Sequence, residues 1–127
     1  MPPLIIRSSD APAPIGPYSQ ATCGAGLVFL SGQIPLDPRT GEMVGEDAAT
    51  QAQQVLENLR AVLHASGSAL ERVVRTTIYL VDLGDFARVN EVYGRFFAER
   101  PPARTTIGVQ ALPRGARVEI DAIALVE

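Results

Sequence analysis

The sequence contains no lysine: all 11 of its basic residues are arginine. That absence excludes a lysine Schiff base and a lysine general base. There is one histidine, His64, and one cysteine, Cys23. A zinc site built on several His and Cys ligands therefore cannot be assembled from one chain, and an oxidised, disulfide-built scaffold is not expected. No G-x-x-x-x-G-K or G-x-G-x-x-G run occurs, which argues against a phosphate-cradling loop. The acidic residues lack the loop spacing of a calcium site, so neither metal nor cofactor is expected. No apolar run approaches the ~20 residues of a membrane span. Met1-Pro2-Pro3-Leu4 does not begin a basic, then apolar, leader, so no signal peptide is expected and the cytoplasm is the default compartment. A net charge of −3 gives no drive toward nucleic acid. The chemistry left is that of arginine, carboxylates, hydroxyls, backbone amides and water.

The 127 residues, 46% hydrophobic and 20% charged, fit one domain spanning 1–127. Leu4 to Arg7 reads as a first strand and Ser8 to Pro17, rich in Ala and Pro, as a loop. Tyr18 to Cys23 and Leu27 to Gly32 read as strands joined through a turn at Gly24-Ala25-Gly26. Pro35 to Gly45 holds the turn signal Asp37-Pro38-Arg39-Thr40-Gly41. Asp47 is the expected N-cap of a first helix, whose apolar stripe is Ala48, Ala52, Val55, Leu56, Leu59, Val62 and Leu63. Gly67 stands where a left-handed residue ends such a helix. Val73 to Val81 predicts a strand. Asp82 or Asp85 opens a second helix with Phe86, Val89, Tyr93, Phe96 and Phe97 on its apolar face, stopped by Pro101-Pro102.

Two late strands follow, Arg104 to Val109 and Val118 to Ala124, and the Pro- and Gly-bearing gap between them predicts a hairpin. The order is β-β-β-α-β-α-β-β in one α+β domain, with two helices on one sheet face. The strands from Val73 and from Val118 are apolar at both parities. The second face is thus expected to be covered, most simply by another copy of the chain.

Arg104 and Glu119 carry the main chemical interest. A hairpin would bring a fixed cation and a carboxylate together. An arginine fork grips a small carboxylate through two parallel hydrogen bonds, and a glutamate beside it can move protons for a water. Asp121, two residues on, shares the face of Glu119, and two such acids raise each other's pKa. On pattern alone a surface arginine is the plainer reading of Arg104, and Asp121 on the same face supports a solvent-facing Glu119. Tyr18, after Gly16-Pro17, is expected near a loop mouth, and Ser31-Gly32 at a strand end offers a hydroxyl and an amide. Asn90 is a poor mid-helix residue, which leaves a polar contact and an exposed position equally open. His64 reads as a surface residue near a helix C-terminus, and Cys23 as an inert packed thiol.

Six blocks in order carry a family resemblance: Ala13-Pro14-Ile15-Gly16-Pro17-Tyr18-Ser19-Gln20-Ala21, Leu30-Ser31-Gly32-Gln33-Ile34-Pro35, Gln54-Val55-Leu56-Glu57-Asn58-Leu59, Val89-Asn90-Glu91-Val92-Tyr93, Pro102-Ala103-Arg104-Thr105-Thr106 and Val118-Glu119-Ile120-Asp121-Ala122-Ile123-Ala124. Nearly the whole chain resembles the RidA, or YjgF-like, family of reactive-intermediate deaminases. The resemblance implies a chorismate-mutase-like α+β fold, a mixed sheet with two helices on one face, assembled as a homotrimer with sites in clefts between subunits. It implies hydrolysis of 2-imino acids or their enamines, such as 2-iminobutanoate and 2-iminopropanoate, to 2-keto acids and ammonia, with no cofactor. Arg104 matches the carboxylate-binding arginine and Glu119 the glutamate of the catalytic water. Tyr18, Ser31, Gly32 and Asn90 match the family's pocket residues, and backbone groups near Gly32 and Ile107 would fix the remaining polar atoms. Many relatives carry cysteine where this chain has Thr106, which removes thiol chemistry from that position. Two other readings compete: a non-catalytic trimer binding a small carboxylate, and an RNA-directed role, against which the acidic balance and the absence of lysine argue.

Overall fold

The computed structural model describes residues 2–126. Its strands are β1 (Leu4–Ile6), β2 (Ala21–Gly24), β3 (Leu27–Gln33), β4 (Val73–Leu80), β5 (Ala103–Gly108) and β6 (Val118–Leu125), and its helices are α1 (Ala48–Ala65) and α2 (Phe86–Phe96). They form one mixed sheet in the order β1-β2-β3-β6-β4-β5. Every neighbouring pair is antiparallel except β4 and β5, which run parallel.

Local chemistry accounts for most boundaries. Ala25 and Gly26, both at positive φ (54° and 79°), close the two-residue β2–β3 hairpin. β2 starts at Ala21, later than the expected Tyr18, because the preceding residues belong to a loop pinned by the buried Gln20. Gln20 Nε2 donates to the carbonyls of Ser8, Ala11 and Pro12, and its Oε1 accepts from the Ser8 amide. Asp47 caps α1, accepting from the Thr50 amide at 3.1 Å and the Thr50 hydroxyl at 2.7 Å. Those two bonds hold the Asp47 carboxyl below its ordinary value. Gly67, at φ 78°, follows the other end. Asp82 caps a short 3-10 turn over Leu83–Asp85 by accepting from the Gly84 amide, and α2 begins directly after it.

The core lies between the helices and one face of the sheet. Leu56, Leu59 and Leu63 of α1 meet Ile78 and Leu80 of β4 and Val118 and Ile120 of β6, all completely buried. Each such side chain contributes roughly 1.5–3 kcal/mol by leaving water. Burial along β6 alternates strictly: Val118, Ile120, Ala122 and Ala124 face the helices, and Glu119, Asp121 and Ile123 face the other way. That second face also bears Phe29 and Leu125, both exposed. The two-sided apolar pattern of the sequence therefore corresponds to a helix-covered face and an open one.

The expected hairpin between the two late strands is not formed. β4 lies between β5 and β6 and pairs with both. The link from Gly108 to Val118 carries its own 3-10 turn at Pro113–Gly115 and is too long for a tight hairpin. The helix α2 instead returns the chain to lay β5 parallel beside β4, the usual connection of parallel neighbours. Phe86 also departs from expectation. It was placed on the apolar face of the second helix, yet it is 42% exposed, and the buried face of α2 is made by Val89, Val92 and Tyr93.

Candidate active site

Arg104 pairs in register with Thr76, and Thr76 bonds Tyr93 of α2 through its hydroxyl at 2.6 Å. Arg104 thus projects to the helix side of the sheet. Its guanidinium lies over the rings of Tyr93 and Phe86, 4.9 Å and 5.5 Å from their centroids. Phe86, Asn90 and Tyr93, spaced by four and three, share one stripe of α2. Asn90 is half-buried within it. Among the described residues neither the Arg104 fork nor the Asn90 amide is committed to a hydrogen bond or ion pair. Aromatic faces attract the cation without using its N–H groups, so five donors stay available in a fixed plane. The Tyr93 phenol is raised by burial, opposed by the Thr76 bond and the Arg104 charge.

Thr106 follows Arg104 on the same side of β5, opposite Ile78. Its hydroxyl is buried without a hydrogen-bond partner. Ile107 has the opposite parity and is 41% exposed. β5 is the sheet edge, so one row of its backbone N–H and C=O groups has no strand partner and is open to a ligand.

Glu119 belongs to the other face. It pairs with Tyr79, and Asp121 pairs with Thr77. The Tyr79 hydroxyl donates to Asp121 Oδ2 at 2.7 Å. Tyr79 is raised above the ordinary tyrosine value by that bond, by burial and by the Asp121 charge. Glu119 is half-buried and accepts no hydrogen bond among the described residues. Its carboxyl is held above the usual range, first by burial and then by the charge of Asp121. Gly32 lies against it, in the register irregularity between Leu30 and Gln33 where β3 meets β6. Ser31 beside it is committed, its hydroxyl donating to the Ser19 carbonyl at 2.6 Å. Tyr18 is 48% exposed, with its hydroxyl accepting from the Ile15 amide at 3.2 Å.

The predicted residues therefore fall into two groups on opposite sides of the sheet. Arg104, Asn90 and Thr106 stand on the helix side at the β5 edge, whereas Glu119, Gly32 and Ser31 stand on the open side of β6 and β3. Two strand spacings, roughly 10 Å, and the sheet itself separate the guanidinium from the carboxylate. The expected meeting of Arg104 and Glu119 does not occur within one chain. The hollow beside Tyr18 and Gly32 measures about 20 Å³, room for about one water, and a concavity of about 790 Å³ lies at Leu4, Cys23 and Phe29. Among the described residues no cluster of acidic, His or Cys side chains is arranged to hold a metal, and no helix is long and apolar enough to cross a membrane.

Several contributors were not predicted. The rings of Phe86 and Tyr93 under Arg104, and the Tyr79 phenol on Asp121, carry no sequence signal until register is known. Two buried amides fix surrounding loops. Asn58 Nδ2 donates to the Leu36 carbonyl at 3.0 Å, and Gln51 holds the Gly45 carbonyl and the Arg117 amide. Both interrupt the apolar face of α1, and that interruption was the available signal.

The family model described as Endoribonuclease L-PSP matches residues 8–126. Across 94% of its length the chain is 48% identical to Reactive Intermediate Deaminase A, chloroplastic, of Arabidopsis thaliana, of which it covers 64%. The chain belongs to the RidA family. This RidA-family protein is also 65% identical to Protein DfrA of Myxococcus xanthus, covering 94% of the chain and 93% of that relative. Among solved structures it superposes on Escherichia coli TdcF with bound serine at a TM-score of 0.92, with 41% identity over 97% of this chain and 98% of that one. The α+β domain with a mixed sheet and two helices on one face is thus the fold of the RidA family.

Proposed function

We propose that this protein is a 2-imino acid deaminase acting on compounds such as 2-iminobutanoate and 2-iminopropanoate, working as a homotrimer in which one subunit supplies Arg104 and a neighbour supplies Glu119. The observation that carries the reading is the state of Arg104, a half-buried guanidinium held by two rings with no acidic partner among the described residues. A fixed, unneutralised fork of that kind suits a small carboxylate. The serine in the related TdcF structure is a ligand of the same size and charge pattern, and the Arabidopsis relative is named as a deaminase. The open sheet face with exposed Phe29 and Leu125 supports assembly, because a monomer seldom leaves such a face in water. A second copy there brings a β5 edge toward a β6 face.

The reaction follows from the groups. Arg104 takes the substrate carboxylate, with the Asn90 amide and β5 backbone groups alongside, and fixes the imine carbon next to the water held by Glu119. Water oxygen bonds to that carbon as Glu119 accepts one of its protons and the C=N π pair moves to nitrogen; the protonated Glu119 then gives that proton to the nitrogen, which leaves a carbinolamine and an ionised Glu119. Glu119 then takes the carbinolamine hydroxyl proton as the C=O forms and delivers it to the departing nitrogen, so the C–N bond breaks to release ammonia and Glu119 ends ionised. A glutamate raised by burial is a better base for the first step than one in bulk water. A net charge of −3 does not favour the nucleic-acid substrate that the family description names.

The test is ammonia release from 2-iminobutanoate generated in situ. Wild-type protein should accelerate it, and Arg104→Lys should lose most of the acceleration, because a point charge does not replace the fork. Binding of 2-ketobutyrate without acceleration by wild type would replace the deaminase reading with the non-catalytic one.

A further inference from the structure

Tyr79 stands directly opposite Glu119 in the β4–β6 register, yet its phenol donates to Asp121 Oδ2. The bond has two effects. It fixes the Asp121 carboxylate on the same face as Glu119, two residues along the strand, and it leaves the Glu119 oxygens unbonded. The other groups on this face do not relieve the pairing of two acids. From β4, Thr77 lies opposite Asp121, and Arg75 directs its guanidinium to the Thr105 hydroxyl of β5 at 2.7 Å. From β3, Ser31 is spent on the Ser19 carbonyl and Gly32 has no side chain. Within one chain, among the described residues, Glu119 therefore faces one fixed anion and no neutralising cation.

Resting on the deaminase reading, we propose that Asp121, clamped by Tyr79, is a positioning residue for Glu119, a built-in anion that makes Glu119 the stronger base toward the reacting water. Burial also strengthens Glu119 and acts in the same direction. The role differs from an ordinary solvated acid because the phenol spends its hydrogen bond where it holds the anion and keeps the base unoccupied.

The experiment records kcat against pH for imine deamination, together with a carbon-13 titration of the Glu119 side-chain carboxyl, in wild type, Asp121→Asn, Asp121→Glu and Tyr79→Phe. In Asp121→Asn the acidic limb of kcat and the Glu119 titration both move to lower pH, and the plateau falls by roughly tenfold or less, as expected for a weaker general base. Asp121→Glu, which keeps the charge, returns the limb toward wild type. Tyr79→Phe lowers kcat with KM unchanged. A limb and a Glu119 titration unmoved in Asp121→Asn would overturn the proposal while wild type remains active. Wild type without any acceleration sinks the deaminase reading itself, a separate outcome.

Discussion

Gly32 and Glu119 meet so closely across β3 and β6 that a methyl group at position 32 would stand 2.0 Å from Glu119 Oε2. The glycine is required by approach and not by backbone angle. Gly32→Ala should therefore push the carboxylate off its present position while the sheet stays paired. The expected outcome is a folded protein with an unchanged circular dichroism spectrum and a loss of turnover of about 100-fold, similar to removal of the base itself. Wild-type turnover in Gly32→Ala would show that the location of the carboxylate is immaterial.

Because Arg104 and Glu119 sit on opposite faces, the proposed assembly predicts complementation. Arg104→Lys and Glu119→Gln proteins, each inactive alone, should regain activity when unfolded together and reassembled. Random mixing in a ring restores both groups at about a quarter of the clefts, so about a quarter of wild-type kcat is expected per site. Mixed protein as inactive as its components would defeat the intersubunit arrangement.

Glu119 also has a stability signature. Its folded pKa is raised, so between the unfolded and folded values the native state holds more protons, and stability falls as pH rises through that window. Below the window both states are protonated and the residue is neutral in effect. Glu119→Gln should thus be more stable than wild type at neutral pH, with the advantage vanishing below about pH 4. Urea midpoints at the two pH values measure it. Equal midpoint differences at both would contradict the buried, raised carboxyl.

Asn58 tests the loop scaffold. It is 1% exposed, and its amide satisfies the Leu36 carbonyl while accepting from Gln54 at 2.8 Å. Asn58→Leu fills the volume but leaves that carbonyl unpaired, at a cost of about 1–3 kcal/mol. Thermal unfolding should fall by roughly 5–10 °C. An unchanged Tm would mean that water replaces the amide.

The sequence was most legible where a signal is local. The α1 stripe, the Asp47 cap and the turn at Ala25-Gly26 each depend on a few neighbouring residues, and each stands where expected; α2 instead ends at Phe96, before the expected stop at Pro101-Pro102. The hairpin failed because Pro113 and Gly115 announce a change of direction without saying which strand is reached afterwards. Strand order follows from how α2 packs, a long-range outcome. The face of Arg104 was hidden for the same reason: parity becomes a statement about sides only when register is known. Phe86 misled because an aromatic at helical spacing reads as core whether its ring meets leucine or a guanidinium.

The division of labour between the two sides of the sheet has an evolutionary corollary. On the deaminase reading proposed above, substitutions along the Phe86, Asn90 and Tyr93 stripe of α2 retune which small acid is welcomed and leave Glu119 and Asp121, on the other side of the sheet, untouched.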